Sequence, residues 1–197
     1  MEQAQSKTKE NLMRAFAGES QARNRYTIAA AQAKKEKLHV LEAVFTFTAD
    51  QEREHAELFY KFLADAAGET IEIEGGYPVD ASPSLAVLLR AAQHNEYEEY
   101  ETVYPAFGET AEAEGFPEIA ALFRRIAEIE KLHGDRFGVL AELLETNRLF
   151  ISDAECGWVC LNCGHFEKAK EAPAVCPVCK HPQGFFIRAE MLPFTNV

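Results

Sequence analysis

Two glutamate and histidine pairs with the same spacing are the residues of this sequence best suited to chemistry. Glu52 precedes His55 by three positions, and Glu130 precedes His133 by three positions. Three residues turn an α-helix by about 300°, so the side chains of one pair lie on one helix face and can bind the same metal ion. Only six histidines occur in 197 residues, so two matched pairs carry more weight than the many glutamate spacings. The pairs predict two halves of one metal site.

A further carboxylate precedes each pair at a similar distance. Glu19 lies 33 residues before Glu52, and Glu96 lies 34 residues before Glu130. Four carboxylates and two imidazoles suit a pair of iron or manganese ions, because these ions accept hard oxygen and borderline nitrogen ligands. Glu52 and Glu130 are the predicted bridging ligands. Glu99, three residues after Glu96, is a surplus ligand.

The cysteines predict a second metal site. All five lie in the last 42 residues, where Cys160 and Cys163 form one Cys-x-x-Cys knuckle and Cys176 and Cys179 form another. Two such knuckles can enclose a metal ion in a tetrahedron of thiolates. The spacing leaves zinc and iron open, because both accept this geometry. Cys156 has no place in a four-ligand site and is predicted to be a free thiol.

Four helical segments are needed to position these ligands, and apolar periodicity and turn residues predict them at 6–35, 39–67, 83–114 and 117–146. Short turns join the helices in pairs, so each pair forms an antiparallel hairpin. Residues 68–82 connect the hairpins, and Ser82 is the predicted N-cap of the third helix. Pro105 predicts a kink within that helix.

One long crossover between two hairpins is the connectivity of ferritin-like four-helix bundles. The predicted fold is therefore all-α over residues 1–150, with a small β and loop metal-binding domain over 154–197. Four aromatic residues are predicted to form the core of the small domain: Trp158, Phe166, Phe185 and Phe186. The remaining four histidines lack a carboxylate at ligand spacing and are predicted to lie at the surface: His39, His94, His165 and His181.

The charge is concentrated in the helical part. The formal net charge is −12, and the segment after residue 153 carries as many basic as acidic residues. Such an acidic surface repels phosphate backbones and anionic lipid headgroups, so neither nucleic acid nor membrane is an expected partner. The sequence contains no apolar run of membrane-spanning length and does not start like a signal peptide, so we expect a cytoplasmic protein.

Together, these motifs resemble those of the rubrerythrins over essentially the whole chain. The resemblance rests on Ala17-Gly18-Glu19-Ser20-Gln21-Ala22-Arg23-Asn24-Arg25-Tyr26, Glu52-x-x-His55, Glu96-x-x-Glu99 before Tyr104-Pro105, Glu130-x-x-His133 and the paired cysteines. It implies a non-haem di-iron peroxidase that reduces hydrogen peroxide to water and protects against oxidative stress. It also implies that electrons arrive from a rubredoxin or an NAD(P)H-dependent reductase through an iron held by Cys160, Cys163, Cys176 and Cys179.

The resemblance further implies the individual site residues. The di-iron ligands would be Glu19, Glu52, His55, Glu96, Glu99, Glu130 and His133. Tyr26 and Tyr104 would hydrogen-bond to ligand carboxylates. In agreement with the resemblance, we expect one iron to exchange His55 for Glu99 on oxidation, because ferric iron prefers an anionic oxygen.

Assembly and two alternative functions remain open from sequence. A helix of about 28 residues is roughly 42 Å long, so the tail iron can lie far from the di-iron site of its own chain. We therefore expect a homodimer or higher homo-oligomer in which the tail of one subunit serves the other. The alternatives are a ferritin-like iron store and a non-catalytic module whose cysteines hold zinc.

Overall fold

The computed structural model describes residues 6–192 and has a helical bundle followed by a small three-stranded module. The helices are α1 (Lys7–Lys35), α2 (His39–Lys61), α3 (Leu85–Glu98), α4 (Tyr104–Ala113) and α5 (Pro117–Glu145). Helices α3 and α4 follow each other through a π-helical turn, so the bundle has four rods. The predicted fold class is confirmed. The predicted domain limits at residues 1 and 197 lie outside the described residues.

Local signals set most helix ends. The hydroxyl of Ser6 accepts a hydrogen bond from the backbone N–H of Lys9 at 3.2 Å, and Pro117 opens α5 as predicted. Gly115 adopts a φ of 86° between the last two helices, where its missing side chain removes the steric penalty. Within residues 6–192, no helix combines the length and the apolar character that crossing a lipid bilayer requires.

Two predicted ends were wrong. Helix α2 stops at Lys61 rather than at residue 67, and a short 3-10 turn at Ala64–Ala66 follows it. The N-cap of α3 is Ser84 rather than Ser82, because the Ser84 hydroxyl accepts from the N–H of Val87. The hydroxyl of Ser82 instead accepts from the N–H of Ser84 at 3.1 Å.

The third rod departs from a regular α-helix directly before Pro105. Residues Glu99–Val103 form a π-helical turn, in which the N–H of Tyr104 bonds to the carbonyl of Glu99 five residues earlier. The wider turn accommodates one extra residue where the proline cannot donate a hydrogen bond. The sequence predicted a kink at Pro105, and the structure shows a π turn directly before this residue.

Two apolar clusters form the bundle core, one on each side of the ligand residues. The first contains Phe45 and Phe137, and the second contains Phe59 and Phe123. Along α1, Ala15 packs in the second cluster and Ala22 packs in the first, so Glu19 lies between them. Polar ligands are thus held inside the bundle by well-packed aromatic layers above and below.

The small module is an antiparallel sheet of β1 (Ile151–Cys160), β2 (Phe166–Glu171) and β3 (Phe186–Arg188), with β1 in the centre. Trp158 and Phe186 are fully buried, as predicted for a core. Phe185 packs against this core and is only partly buried. Phe166 was wrongly predicted as core: it is 40% exposed, because it begins the edge strand β2 and packs only one side of its ring against Gly157 of the central strand.

The module packs against the turn between α1 and α2. The imidazole of His39 stacks on Phe185 with ring centroids 4.0 Å apart, and Ile187 joins the first bundle cluster. His39 was predicted to lie at the surface, whereas its ring is half-buried between the bundle and the small module. His165 and His181 are also half-buried, and His94 is exposed.

Candidate metal centres

Six buried residues form two overlapping ligand groups inside the bundle. The first group is Glu19, Glu52, His55 and Glu130, and the second group is Glu52, Glu96, Glu130 and His133. In each group the four ligand atoms all lie within 4.8 Å of one another. Every rod of the bundle contributes, and Glu52 and Glu130 belong to both groups. This sharing fits the predicted bridging role of these two glutamates.

The imidazoles approach the shared carboxylates closely. Nδ1 of His55 lies 2.9 Å from Glu130 Oε1, and Nδ1 of His133 lies 2.8 Å from Glu130 Oε2 and 3.0 Å from Glu52 Oε1. Even so, both oxygens of Glu130, Oε1 of Glu52 and Nδ1 of His133 are buried without a hydrogen bond. Buried polar atoms without partners are costly, but converging lone pairs are what a cation requires. These oxygen and nitrogen donors fit iron or manganese.

Burial and mutual charge shift the pKa values of the ligands in opposite directions. Burial and the neighbouring carboxylates raise the pKa of Glu19, and burial and the charge of Glu52 raise that of Glu96 to about 8. Burial would also raise the pKa of Glu52, but His133 and His55 outweigh it and lower the value to about 2.

Burial alone would lower the pKa of both histidines. The carboxylates of Glu130 and Glu52 outweigh that effect and raise the pKa of His55 to about 9 and that of His133 to about 12. Without metal, the ligand groups therefore hold protons at neutral pH. A cation that binds there displaces them.

The two predicted tyrosine hydrogen bonds are present, and each one joins the two hairpins. The hydroxyl of Tyr26 on α1 donates to Glu96 on α3, and the hydroxyl of Tyr104 on α4 donates to Glu19 on α1. Each tyrosine thereby fixes the orientation of one carboxylate and leaves its second oxygen free. That oxygen lacks a hydrogen bond in both Glu19 and Glu96.

The π turn explains why the spacing between ligand residues is one residue longer in the second hairpin than in the first. Sixteen positions separate Glu19 from the last residue of α1, Lys35, whereas seventeen separate Glu96 from the last residue of α4, Ala113. The loops and the second helices match in length up to the ligand glutamate. The extra residue therefore lies in the π turn, which begins at Glu99.

Glu99 itself lies outside both ligand groups. The residue is half-buried, and burial of its carboxyl and the charge of Glu96 raise its pKa. It lines a cavity of about 330 Å³ that adjoins the site beside Gly18 and Tyr104. The structure thus places Glu99 next to the ligand groups, and its role as a ligand stays a prediction.

Sequence reasoning missed the support of His133. Oε1 of Gln51 lies 3.1 Å from Nε2 of His133, and Arg136 donates to Thr48 at 3.1 Å beside it. Such a partner fixes the ring so that its other nitrogen faces the metal. A glutamine next to Glu52 gives no sequence signal, because polar residues at that helix position usually face solvent.

The four paired cysteines converge in the small module. Sγ of Cys160 lies 3.7 Å from that of Cys179, and Sγ of Cys163 lies 3.7 Å from that of Cys176. A tetrahedral site with metal–sulfur bonds of about 2.3 Å has sulfur–sulfur edges of roughly 3.8 Å, so the thiols already form such a cage. Cys156 lies outside the group and forms no disulfide in the described part of the chain.

The knuckles are built alike. The N–H of Cys160 bonds to the carbonyl of His165 at 2.9 Å, and the N–H of Cys176 bonds to that of His181 at 2.8 Å. Gly164 takes the positive φ predicted for the first turn, 77°. The equivalent residue of the second turn is Lys180, with a φ of 63°. The backbone N–H of His181 lowers the pKa of Cys179, which favours the thiolate that a metal needs.

Comparison with known proteins agrees with both sites. A family model described as Rubrerythrin matches residues 10–141, and one described as Rubrerythrin, rubredoxin-like domain, matches residues 158–187. The chain belongs to the rubrerythrin family. It is 48% identical to rubrerythrin from Porphyromonas gingivalis, covering 92% of this chain and 89% of that protein. It is 45% identical to rubrerythrin from Clostridium perfringens, covering 92% and 93%.

Solved structures extend the comparison. Nigerythrin in a mixed-valence state matches with a TM-score of 0.62 and 27% identity, covering 94% of this chain and 90% of that chain. A Desulfovibrio desulfuricans bacterioferritin matches with a TM-score of 0.63 at 24% identity, covering 72% and 82%, which supports the ferritin-like fold alone. In this rubrerythrin-family protein, the bundle is the di-iron domain, and the four cysteines form the rubredoxin-like site.

Proposed function

We propose that this rubrerythrin-family protein is a peroxidase that reduces hydrogen peroxide to two molecules of water, using two electrons and two protons. The observation that carries the proposal is the pair of buried ligand groups sharing Glu52 and Glu130, next to a cavity of about 330 Å³. Two adjacent redox metals suit a two-electron reduction that releases no radical. The proposed role is protection against oxidative stress.

When bound, the two irons supply one electron each. Glu52 and Glu130, which belong to both ligand groups, would be shared between the two metals, and Glu19 and Glu96, which Tyr104 and Tyr26 hold in position, would each serve one of them. His55 and His133 complete the two halves. Glu99 would be available to take the place of His55 when the metals are oxidised, because a carboxylate would compensate the added positive charge better than an imidazole.

Cys160, Cys163, Cys176 and Cys179 would hold the iron that passes electrons on to the di-iron site. The donor is a rubredoxin or an NAD(P)H-dependent reductase in the cytoplasm. We assign the di-iron domain to residues 1–150 and the electron-transfer domain to residues 154–197. The active form is a homodimer, in which the cysteine site of one subunit serves the di-iron site of the other.

Peroxide consumption by the reduced, iron-loaded chain tests the proposal. The reduced unmodified protein is expected to consume one peroxide for every two electrons that its three irons hold, and to turn red as its four-thiolate iron oxidises. Glu130→Gln should keep the red colour in its oxidised form but consume no peroxide after reduction, whereas Cys163→Ser should allow a single turnover without a donor-driven cycle. A chain that consumes no peroxide contradicts the proposal.

The two alternatives give different results in the same samples. An iron store takes up far more iron per chain than the three ions proposed here. A zinc module stays colourless, because zinc has a filled d shell. Equal mixtures of reassembled Glu130→Gln and Cys163→Ser chains test the dimer: activity returns only if electrons cross between subunits.

A further inference from the structure

The cavity beside Glu99 is larger than hydrogen peroxide needs. Its volume is about 330 Å³, whereas one water molecule needs only about 10–15 Å³ by the same measure, so it has room for a group larger than water. Gly18 of α1, Glu99 and Tyr104 form the wall facing the ligand groups. The crossover segment 75–78, which includes Tyr77, covers the opposite side.

Hydrogen bonds fix this cover at both ends. The hydroxyl of Tyr77 donates to the carbonyl of Arg14 at 3.1 Å. At the other end, Asp80 pairs with Arg25 and accepts from Asn95 at 2.8 Å. Arg14 also pairs with an acidic residue of its own helix, so both guanidinium groups that line the cavity already have anionic partners. The cavity therefore suits a neutral molecule better than an anion.

Gly18 is the unexpected residue in this wall. A glycine inside a helix costs roughly 0.5–1 kcal/mol relative to alanine. A Cβ at this position would lie 3.8 Å from both Glu99 Oε1 and Tyr77 Cε1, which is ordinary van der Waals contact. Neither a clash nor the helical backbone therefore requires glycine here. The missing methyl group keeps open the space between the ring of Tyr77 and the carboxylate of Glu99.

We infer that Gly18 and Tyr77 set the size of the hydroperoxide that reaches the di-iron site, and that this site also reduces small alkyl hydroperoxides. The inference rests on the proposed peroxidase function. The alkyl group lies in the cavity against Val103 and Phe107, and the hydroperoxide end points toward Glu99. The O–O bond breaks with two electrons from the reduced metal pair and two protons from solvent, giving the alcohol and one water.

The ratio of kcat/KM for tert-butyl hydroperoxide to that for hydrogen peroxide tests the inference in the iron-loaded full chain. Gly18→Ala should lower this ratio by about tenfold or more, since one methyl group of lost space is worth roughly 10- to 200-fold. Tyr77→Ala should raise the ratio. Val79→Ala is the matched control, because this crossover side chain is 90% exposed and does not line the cavity.

A second measurement does not depend on turnover. Crystals of the iron-loaded protein soaked in tert-butanol, the product alcohol, should show the alcohol beside Gly18, and crystals of Gly18→Ala should not. The melting temperature of Gly18→Ala should match or exceed that of the unmodified chain, because alanine favours the helix. If the melting temperature of Gly18→Ala fell, its kinetics would reflect misfolding, and the inference would be judged on the ratio measured for Tyr77→Ala.

The outcomes separate the inference from the function on which it rests. If the unmodified chain reduces hydrogen peroxide and neither Gly18→Ala nor Tyr77→Ala changes the ratio, the inference is wrong and the peroxidase function stands. An equal loss with both substrates in Gly18→Ala also overturns it. A chain that reduces no hydroperoxide overturns the proposed function.

Discussion

Gln51 binds the imidazole of His133 on the edge that faces away from the ligand carboxylates, with Oε1 3.1 Å from Nε2. Because Gln51 offers an oxygen, Nε2 carries the proton and Nδ1 is left to bind a metal. Nε2 of His55 has no hydrogen-bond partner within residues 6–192. The two halves of the site thus differ: His133 is anchored, and His55 is the imidazole that is freer to leave.

Removing this anchor should weaken one metal position more than the other. We expect Gln51→Leu to lower the affinity of the second ligand group by about 10- to 100-fold, because it leaves the ring of His133 unsupported. Stepwise removal of iron by a chelator measures this loss of affinity. One di-iron ion per chain should be removed at a lower chelator concentration than the other. Thr48→Val is the control, since it removes a contact of Arg136 and leaves the acceptor of His133 intact. Equal loss of both ions would contradict the prediction.

Glu99 should matter for turnover rather than for assembly. We expect Glu99→Gln to lower the rate of peroxide reduction by about tenfold or more, because the neutral amide cannot compensate an oxidised metal as a carboxylate does. Iron content should stay near that of the unmodified chain, since Glu99 lies outside both ligand groups. Glu101→Gln, an exposed position of the same π turn, is the matched control. Unchanged rates in Glu99→Gln would remove the ligand-exchange hypothesis.

The stability gained from iron should grow as the pH rises from about 6.5 to about 9. Burial lowers the pKa of His55, but Glu130 and Glu52 raise it above the usual 6.5 to about 9. The stability from its protonated form is therefore complete below pH 6.5 and is lost as the pH rises through about 9. Glu96, with a pKa raised to about 8, acts in the same direction.

Iron shows the opposite dependence, because it competes with protons for the same ligands and binds more tightly as the pH rises. Calorimetric melting temperatures of the iron-loaded and chelator-treated full chain, recorded across this pH range, check the prediction. The difference between the two should widen with pH. A difference that narrows would mean that the ligand groups are not protonated without metal.

The sequence predicted correctly those features that depend on residues close together in the chain. Pro117 opens α5 as expected, and the spacing of Glu52 and His55 turned directly into a shared helix face. The cysteine knuckles were equally clear, because a Cys-x-x-Cys turn constrains its own backbone. Gly164 could be assigned its positive φ for that reason.

Features that depend on packing between helices could not be predicted from the sequence. Two serines, Ser82 and Ser84, offer equivalent caps, and the structure uses the second one. The π turn at Glu99 differs from an α turn by one inserted residue and a hydrogen bond that spans five positions, which no local residue signals, so Pro105 predicted a kink but not a π turn. Gln51 resembles a solvent-facing residue until α5 brings His133 to it.

The small module contacts the bundle closely at Gly184, where no side chain fits. A Cβ at Gly184 would overlap the backbone carbonyl of Lys37, whose φ of 61° fixes the turn between α1 and α2. Since no flexible side chain can yield, Gly184→Ala should push the module away and cost about 1–3 kcal/mol of docking free energy. Amide exchange at Ile187, which packs in the bundle core, should accelerate while the visible spectrum persists, because all four thiolates lie within the module. Gly76→Ala, with no atom within 4 Å of the added Cβ, should leave this exchange unchanged, and equal exchange in both variants would contradict the prediction.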